Sequence, residues 1–367
     1  MTLTLTPIAG FAVAFVLAHW LTPQIVRLAA RLGAVDRRQT PRIHAGQVPR
    51  LGGLAIALGF YAPVLGLAFR VNAFSMHIYQ QPLRVAALLG GGLIILGLGV
   101  FDDLRGAKAW QKLIVQVPVA ALAWWAGVRI GGTVSPGGHG VVFPELVSLA
   151  ATVVWIVVVV NALNLIDGLD GLASGVAFQA LAAAALCAWV RGDPALALFA
   201  ICLCGSVGGF LVHNFHPASI FMGDSGSMFL GYVIAVTTAW SSQKTATLVG
   251  VVLPAVALGL PLLDTSMAVW RRVARRQPIM SGDLDHIHHR LMALGWSQRR
   301  SVLTLYAVSF AFSAVSVALV FINDWRLHWP LIGLALVAAL GFARWLGYLR
   351  QAHARPVDDR LEQRKAS

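Results

Sequence analysis

Charge is what this chain has least of. Of its 367 residues only 12% are Asp, Glu, Lys or Arg, just 15 are acidic, and 58% are apolar. A soluble domain carries charge at about a quarter of its positions, so a water-exposed globule of this composition is excluded. Cysteine is scarce too: Cys187, Cys202 and Cys204 all lie in apolar stretches with no partnering histidine. Three thiols so placed make neither a disulfide framework nor a metal site, and they read as inert core groups. The first apolar run lacks the basic region and cleavage box of a signal peptide and is expected to be a retained helix. No internal repeat stands out, which weakens a two-halved transporter as the architecture.

What the chain does have is apolar residues in long blocks. At ~1.5 Å per residue, about twenty residues cross the ~30 Å hydrocarbon layer. Segments of that kind are expected near 3–29, 51–69, 84–101, 112–130, 146–163, 172–190, 195–212, 226–241, 247–270, 302–323 and 329–348. The fold class is therefore all-α: a polytopic integral membrane protein of about eleven transmembrane helices. The segment 226–241 is short, and the pair flanking Gly192 can also be drawn as one bent element. Residues 1–350 form one transmembrane domain on this reading, and residues 351–367 a polar tail.

A net charge of +13 on a soluble face would suggest nucleic acid, but here the bases fall in alternate loops, and no nucleic-acid partner is expected. All but six of the 28 Lys and Arg residues belong to the odd-numbered loops, adjoining helix ends and the tail; the exceptions are Arg70, Arg84, Arg129, Arg191, Lys244 and Arg326. The positive-inside rule then puts the odd loops and the C-terminus in the cytoplasm and the N-terminus in the periplasm. Of the 12 tryptophans, Trp20, Trp110, Trp189, Trp240, Trp325 and Trp329 stand near expected helix ends, where an interfacial belt accounts for them.

The few acids gather on the same side. Asp102 and Asp103 end the third expected helix beside Arg105 and Lys108. Adjacent carboxylates disfavour joint ionisation unless a cation compensates, and hard oxygen donors of this sort suit Mg2+ and phosphate chemistry; a helix end salt-bridged to Arg105 is the structural alternative. Between the fifth and sixth helices, Asn161, Asn164, Asp167 and Asp170 recur every three residues, which aligns them near one helix face if the run is helical, while Gly168 and Gly171 permit a tight turn. The run Phe221-Met222-Gly223-Asp224-Ser225-Gly226-Ser227 precedes another apolar helix and offers a carboxylate for a metal and backbone donors for an anion. An N-cap explains one polar residue there but not the exposed Phe221. The ninth loop carries Arg271, Arg272, Arg275 and Arg276, then Asp283, Asp285, His286, His288, His289 and Arg290. Zinc lacks a matching His/Cys set, and imidazoles beside arginine favour phosphate oxygens.

Together these four motifs, in their order, sidedness and spacing, resemble the polyprenyl-phosphate N-acetylhexosamine-1-phosphate transferases, the superfamily that also contains the phospho-MurNAc-pentapeptide translocase. The resemblance runs from about Leu32 to Arg290. It implies an inner-membrane enzyme, active at the cytoplasmic face, that uses Mg2+ or Mn2+ to move a sugar 1-phosphate from a UDP-sugar to a polyprenyl phosphate with release of UMP. On that resemblance Asp102 and Asp103 are the paired acids of the transfer centre, Asp224 is the metal ligand, and Asn164, Asp167 and Asp170 position substrate. Phe221 stacks on uracil, and His286, His288, His289 and Arg290 contact diphosphate or sugar. His44, between Pro41-Arg42-Ile43 and Pro49-Arg50-Leu51, matches a first-loop motif for lipid phosphate. The His286-Ile287-His288-His289 pattern resembles the GlcNAc-1-phosphate branch, which implies UDP-GlcNAc, or a relative such as UDP-N-acetylfucosamine, and undecaprenyl phosphate as partners among the membrane lipids. A homodimer has no support from the sequence. A secondary transporter is the competing class, and it gives no reason for acids, histidines and arginines to share one face.

Overall fold

The computed structural model describes residues 2–36, 48–68, 73–134, 140–241, 255–278, 286–322 and 324–346. His44, Asp283 and Asp285 lie outside these residues. Thirteen helices are described: α1 (Thr2–Leu32), α2 (Gly52–Ala68), α3 (Ala73–Gln80), α4 (Pro82–Arg105), α5 (Ala109–Trp125), α6 (Glu145–Ile166), α7 (Leu172–Val190), α8 (Pro194–Asn214), α9 (Gly223–Ser241), α10 (Gly259–Ala274), α11 (Ile287–Ala293), α12 (Gln298–Phe321) and α13 (Trp325–Trp345). Two short antiparallel ribbons complete the list: β1 (Val35–Asp36) pairs with β2 (Val48–Pro49), and β3 (Gly132–Val134) with β4 (Gly140–Val142).

Each expected apolar segment has a helix over it except the first part of 247–270, whose residues 247–254 lie outside the described residues and where α10 begins at Gly259; 7 of the described helices are long and apolar enough to cross a membrane, and α2 is apolar but shorter. The chain is thus an all-α, polytopic membrane protein. Around Gly192 there are two helices rather than one bent element. Arg191–Asp193 makes a turn, Asp193 accepts the Leu196 amide, and Pro194 opens α8 where no amide hydrogen is needed.

The core is built on α8 and α9. In the most apolar stretch of α8 83% of residues are buried, against 17% for α13, and Ser225–Trp240 of α9 is buried throughout, so α8 and α9 form the centre of the bundle and α13 its lipid-facing rim. Helices α1, α2 and α7 pack along α8, while α4 and α6 flank α9. All three cysteines are free and buried, as their apolar setting implied. Large exposed side chains such as Ile8, Ile114, Leu146 and Leu334 belong on a surface whose solvent is lipid. Some polar groups inside the bundle pair across helices: Asn161 donates to Oε1 of Gln116 at 2.8 Å, and Trp155 donates to the Ala235 carbonyl at 3.1 Å.

One end of the bundle collects the motifs. There the C-terminal ends of α4, α6 and α8 meet the N-terminal ends of α9 and α12. The segment before α9 is clipped to the start of α2: the Phe221 amide donates to the Pro49 carbonyl at 2.8 Å, and the Gly52 amide to the Phe221 carbonyl at 3.1 Å.

Candidate active site

Asp102 and Asp103 stand at the end of α4 and take different partners. Asp102 is buried; its Oδ1 accepts the Ala107 amide at 2.6 Å, and its Oδ2 pairs with the Lys112 ammonium. It thereby fixes the turn from α4 into α5. Asp103 reaches α9 instead, where Oδ1 accepts the Asp224 amide at 2.9 Å and Oδ2 the Ser225 amide at 3.0 Å. Those amides are among the donors a helix leaves unsatisfied at its N-terminus, so a carboxylate from α4 caps α9 across the bundle.

Asp224 is thereby set in place. Its Oδ1 lies 3.1 Å from the Lys112 ammonium and 2.5 Å from Nδ2 of Asn164, which also donates to Ser227 Oγ at 2.9 Å. Lys112 therefore bridges Asp102 and Asp224, a role no motif announced. Lys112 and Asp224 stand 112 residues apart, and only the bundle brings them together.

The four polar residues spaced by three do not share one face. Helix α6 ends at Ile166, and Asp167–Gly171 is a turn, because the glycines interrupt the helical run. Asn161 points into the bundle toward Gln116, and Asn164 meets Asp224. Asp167 lines a cleft, while the buried Asp170 also accepts the Ala218 amide at 3.2 Å and lies 2.8 Å from Nδ1 of His216. Burial holds the Asp167 carboxyl well above the usual carboxylate range, with Asp224, Asp103 and Asp170 adding repulsion and Arg50 opposing them.

The cleft has a volume of about 440 Å³ and is lined by Asn164, Asp167, Phe221 and Asp224, with Arg50 and Gln298 added from outside the expected site set. That size suits a small-molecule ligand. No three His, Cys, Asp or Glu side chains among the described residues converge on one point as a ready ligand set. His286 and His288 are buried behind the cleft wall, His289 is exposed, and Arg290 is buried and donates to the Leu346 carbonyl at 3.3 Å.

Comparison with known proteins assigns this arrangement to a family. Residues 85–242 match glycosyl transferase family 4, and a probable undecaprenyl-phosphate N-acetylglucosaminyl 1-phosphate transferase of Bacillus subtilis (strain 168) is 38% identical over 87% of this chain and 86% of its own length. The chain belongs to glycosyl transferase family 4. Within that family it is also 33% identical to the decaprenyl-phosphate N-acetylglucosaminephosphotransferase of Mycobacterium tuberculosis (strain ATCC 25618 / H37Rv), over 80% of this chain and 77% of the other. A phospho-N-acetylmuramoyl-pentapeptide-transferase of Halalkalibacterium halodurans is 31% identical over 86% of this chain and 97% of the other. The order of these identities agrees with the GlcNAc-1-phosphate branch read from the histidine pattern.

Proposed function

We propose that this chain transfers N-acetylglucosamine 1-phosphate from UDP-GlcNAc to undecaprenyl phosphate, releases UMP, and so starts a lipid-linked surface polysaccharide. The observation that carries the proposal is the cleft itself. It sets an aromatic ring, hard oxygen donors and an arginine around one space at the end of a membrane bundle. Phe221 offers its face to the uracil ring, and Arg50 offers a guanidinium to phosphate oxygens.

The donor set fits Mg2+ or Mn2+. Lys112 and Asn164 occupy Oδ1 of Asp224 and leave its second oxygen without a hydrogen bond among the described residues. The acids around Asp167 also repel one another in a way that an added cation would relieve. Asp224 would hold such an ion, whose chemistry is to screen and polarise the transferring phosphate. Asp102 and Asp103 serve the centre by fixing Lys112 and Asp224. Asp167, which no side-chain hydrogen bond commits among the described residues, takes the remaining proton of the lipid phosphate. An oxygen of that phosphate attacks the sugar-linked phosphorus in line, the new P–O bond forms, and the P–O bond to UMP breaks. Asp170 acts beside this step by holding the His216 loop, and His289 and Arg290 flank the donor; His44 belongs to lipid-phosphate handling in the same reading.

The apolar segments support eleven spans, and the charge distribution supports a periplasmic N-terminus, a cytoplasmic C-terminus and a site at the cytoplasmic face of a bacterial inner membrane. Purified protein given undecaprenyl phosphate, Mg2+ and radiolabelled UDP-GlcNAc or its epimers, UDP-N-acetylfucosamine included, should yield a solvent-extractable labelled lipid. Failure with every donor in the panel rejects the transferase reading.

A further inference from the structure

The histidine motif divides by accessibility. His289 is exposed, whereas His286 and His288 are 4% and 2% exposed. His286 is anchored from α10: its Nδ1 lies 2.8 Å from Oδ2 of Asp264, whose other oxygen accepts the Ile287 amide at 3.0 Å. Asp264 is itself buried. A carboxylate inside a membrane helix is costly unless partnered, and this one commits both oxygens to the start of α11. Because a carboxylate accepts, the hydrogen of a neutral His286 sits on Nδ1.

From His286 the contact passes on. Its ring lies parallel to His288, with centroids 5.8 Å apart. Neither nitrogen of His288 has a hydrogen-bond partner among the described residues. Burial, with His289 and His286 beside it and Asp264 opposing, holds this imidazole neutral down to about 3. Its Nε2 edge packs on Gly168, where a Cβ would overlap the ring. Gly168 follows Asp167 and lines the cleft.

We propose that Asp264 is a positioning residue that acts through His286 and His288 to hold Gly168, and with it the Asp167–Asp170 turn, in the wall of the cleft. The inference deepens the transferase reading and rests on it. Of the three histidines it leaves ligand contact to His289. A neutral His288 ring suits this task because it supports the backbone without adding charge beside the phosphates. Asparagine at position 264 cannot keep both contacts with this tautomer of His286. If its carbonyl turns to His286, its NH2 group meets the Ile287 amide and two donors face each other; if its carbonyl turns to Ile287, its NH2 group meets Nδ1, whose hydrogen must then move to Nε2.

The test compares wild type with Asp264→Asn, Gly168→Ala and the double variant, all in detergent with Mg2+. Expected for Asp264→Asn is a fall in kcat of about tenfold or more, with KM for UDP-GlcNAc and undecaprenyl phosphate each changed less than about threefold. The double variant should be hardly worse than either single one, because both break the same chain of contacts. In 15N-histidine spectra assigned with His286→Gln, the Nδ1–H signal of His286 should shift in Asp264→Asn, and hydrogen exchange over residues 167–171 should quicken. Unchanged kcat, fully additive losses, or lost activity with an unaltered His286 signal would each overturn the proposal. Should wild type make no lipid product, the transferase reading fails separately, and the spectra and exchange rates still decide what Asp264 does.

Discussion

Asp224 and Asp167 share one cleft but differ in what commits them, and that difference predicts how each tolerates loss of charge. In Asp224→Asn the amide carbonyl can still accept from Lys112 and Asn164, the contacts that Oδ1 makes now. The fold should persist, while the second oxygen, the one offered to the metal, becomes an NH2 group. Turnover is expected to fall by about 100-fold or more, with a melting temperature close to that of wild type. A Mg2+ titration of lipid-product formation checks this, and near-normal turnover at the wild-type Mg2+ midpoint would reject Asp224 as a ligand. Asp167 behaves differently because its native pKa is raised above the ordinary 3.8. The folded state then holds that proton more tightly than the unfolded chain does. The resulting stability is complete below the unfolded value and is lost as pH rises through the native one. At pH 8 in Mg2+-free buffer, Asp167→Asn should therefore melt above wild type, the gap should close toward pH 4, and the variant should be inactive. Such a gain in stability at the expense of activity is common where a site stores repulsion. Melting curves across pH decide it, and a variant less stable than wild type at pH 8 would contradict the argument.

At the scale of elements, the helices were legible in the sequence because membrane spans declare themselves by length and apolarity, and the short turn after Ile166 was legible in its two glycines. The face assigned to Asn161, Asn164, Asp167 and Asp170 was not, since a spacing of three residues aligns side chains only while the helix lasts, and α6 stops before Asp167. Lys112 and Arg50 were missed for another reason: each is an unremarkable base in a basic chain until the bundle sets Lys112 between Asp102 and Asp224 and puts Arg50 on the cleft. The motif spacing showed His286 and His288 as a cluster but not which rings are buried, because burial depends on α10 and Asp264. How α4 meets α9 was equally hidden. Their backbones come close where Gly99 faces Ser225, and a Cβ at Gly99 would overlap the Ser225 backbone. One turn further on, Asp103 caps α9. Gly99→Ala should therefore push α9 away and misplace Asp224 together with its cap. Overpacking of this kind costs roughly 1–3 kcal/mol, so the melting point should drop by several degrees, and activity by about tenfold or more from misplacement. Wild-type kinetics and melting in Gly99→Ala would show that the interface yields without disturbing the site.

For the whole molecule, the question is which compartment the cleft faces. The ends of α4, α6, α8, α9 and α12 that build it lie together, so a single orientation fixes access for every substrate group at once. The orientation proposed above rests on the charge distribution. The odd-numbered loops, with the tail, hold all but six of the 28 basic residues, and basic loops stay on the cytoplasmic side. The motif acids and histidines occupy those same loops or the helix ends beside them, so the proposed orientation puts the site on that side. Reporter domains fused after Arg276 and at the C-terminus should both read cytoplasm, and one inserted near Gly138 should read periplasm. The prediction bears on function as well as topology. A UDP-sugar is a doubly charged phosphate ester that does not cross a bilayer unaided, so a cleft that accepts it must open to the compartment where nucleotide sugars are made. Reporters reading the opposite way would leave the cleft facing a compartment without its donor, and the transferase reading would fall with the orientation.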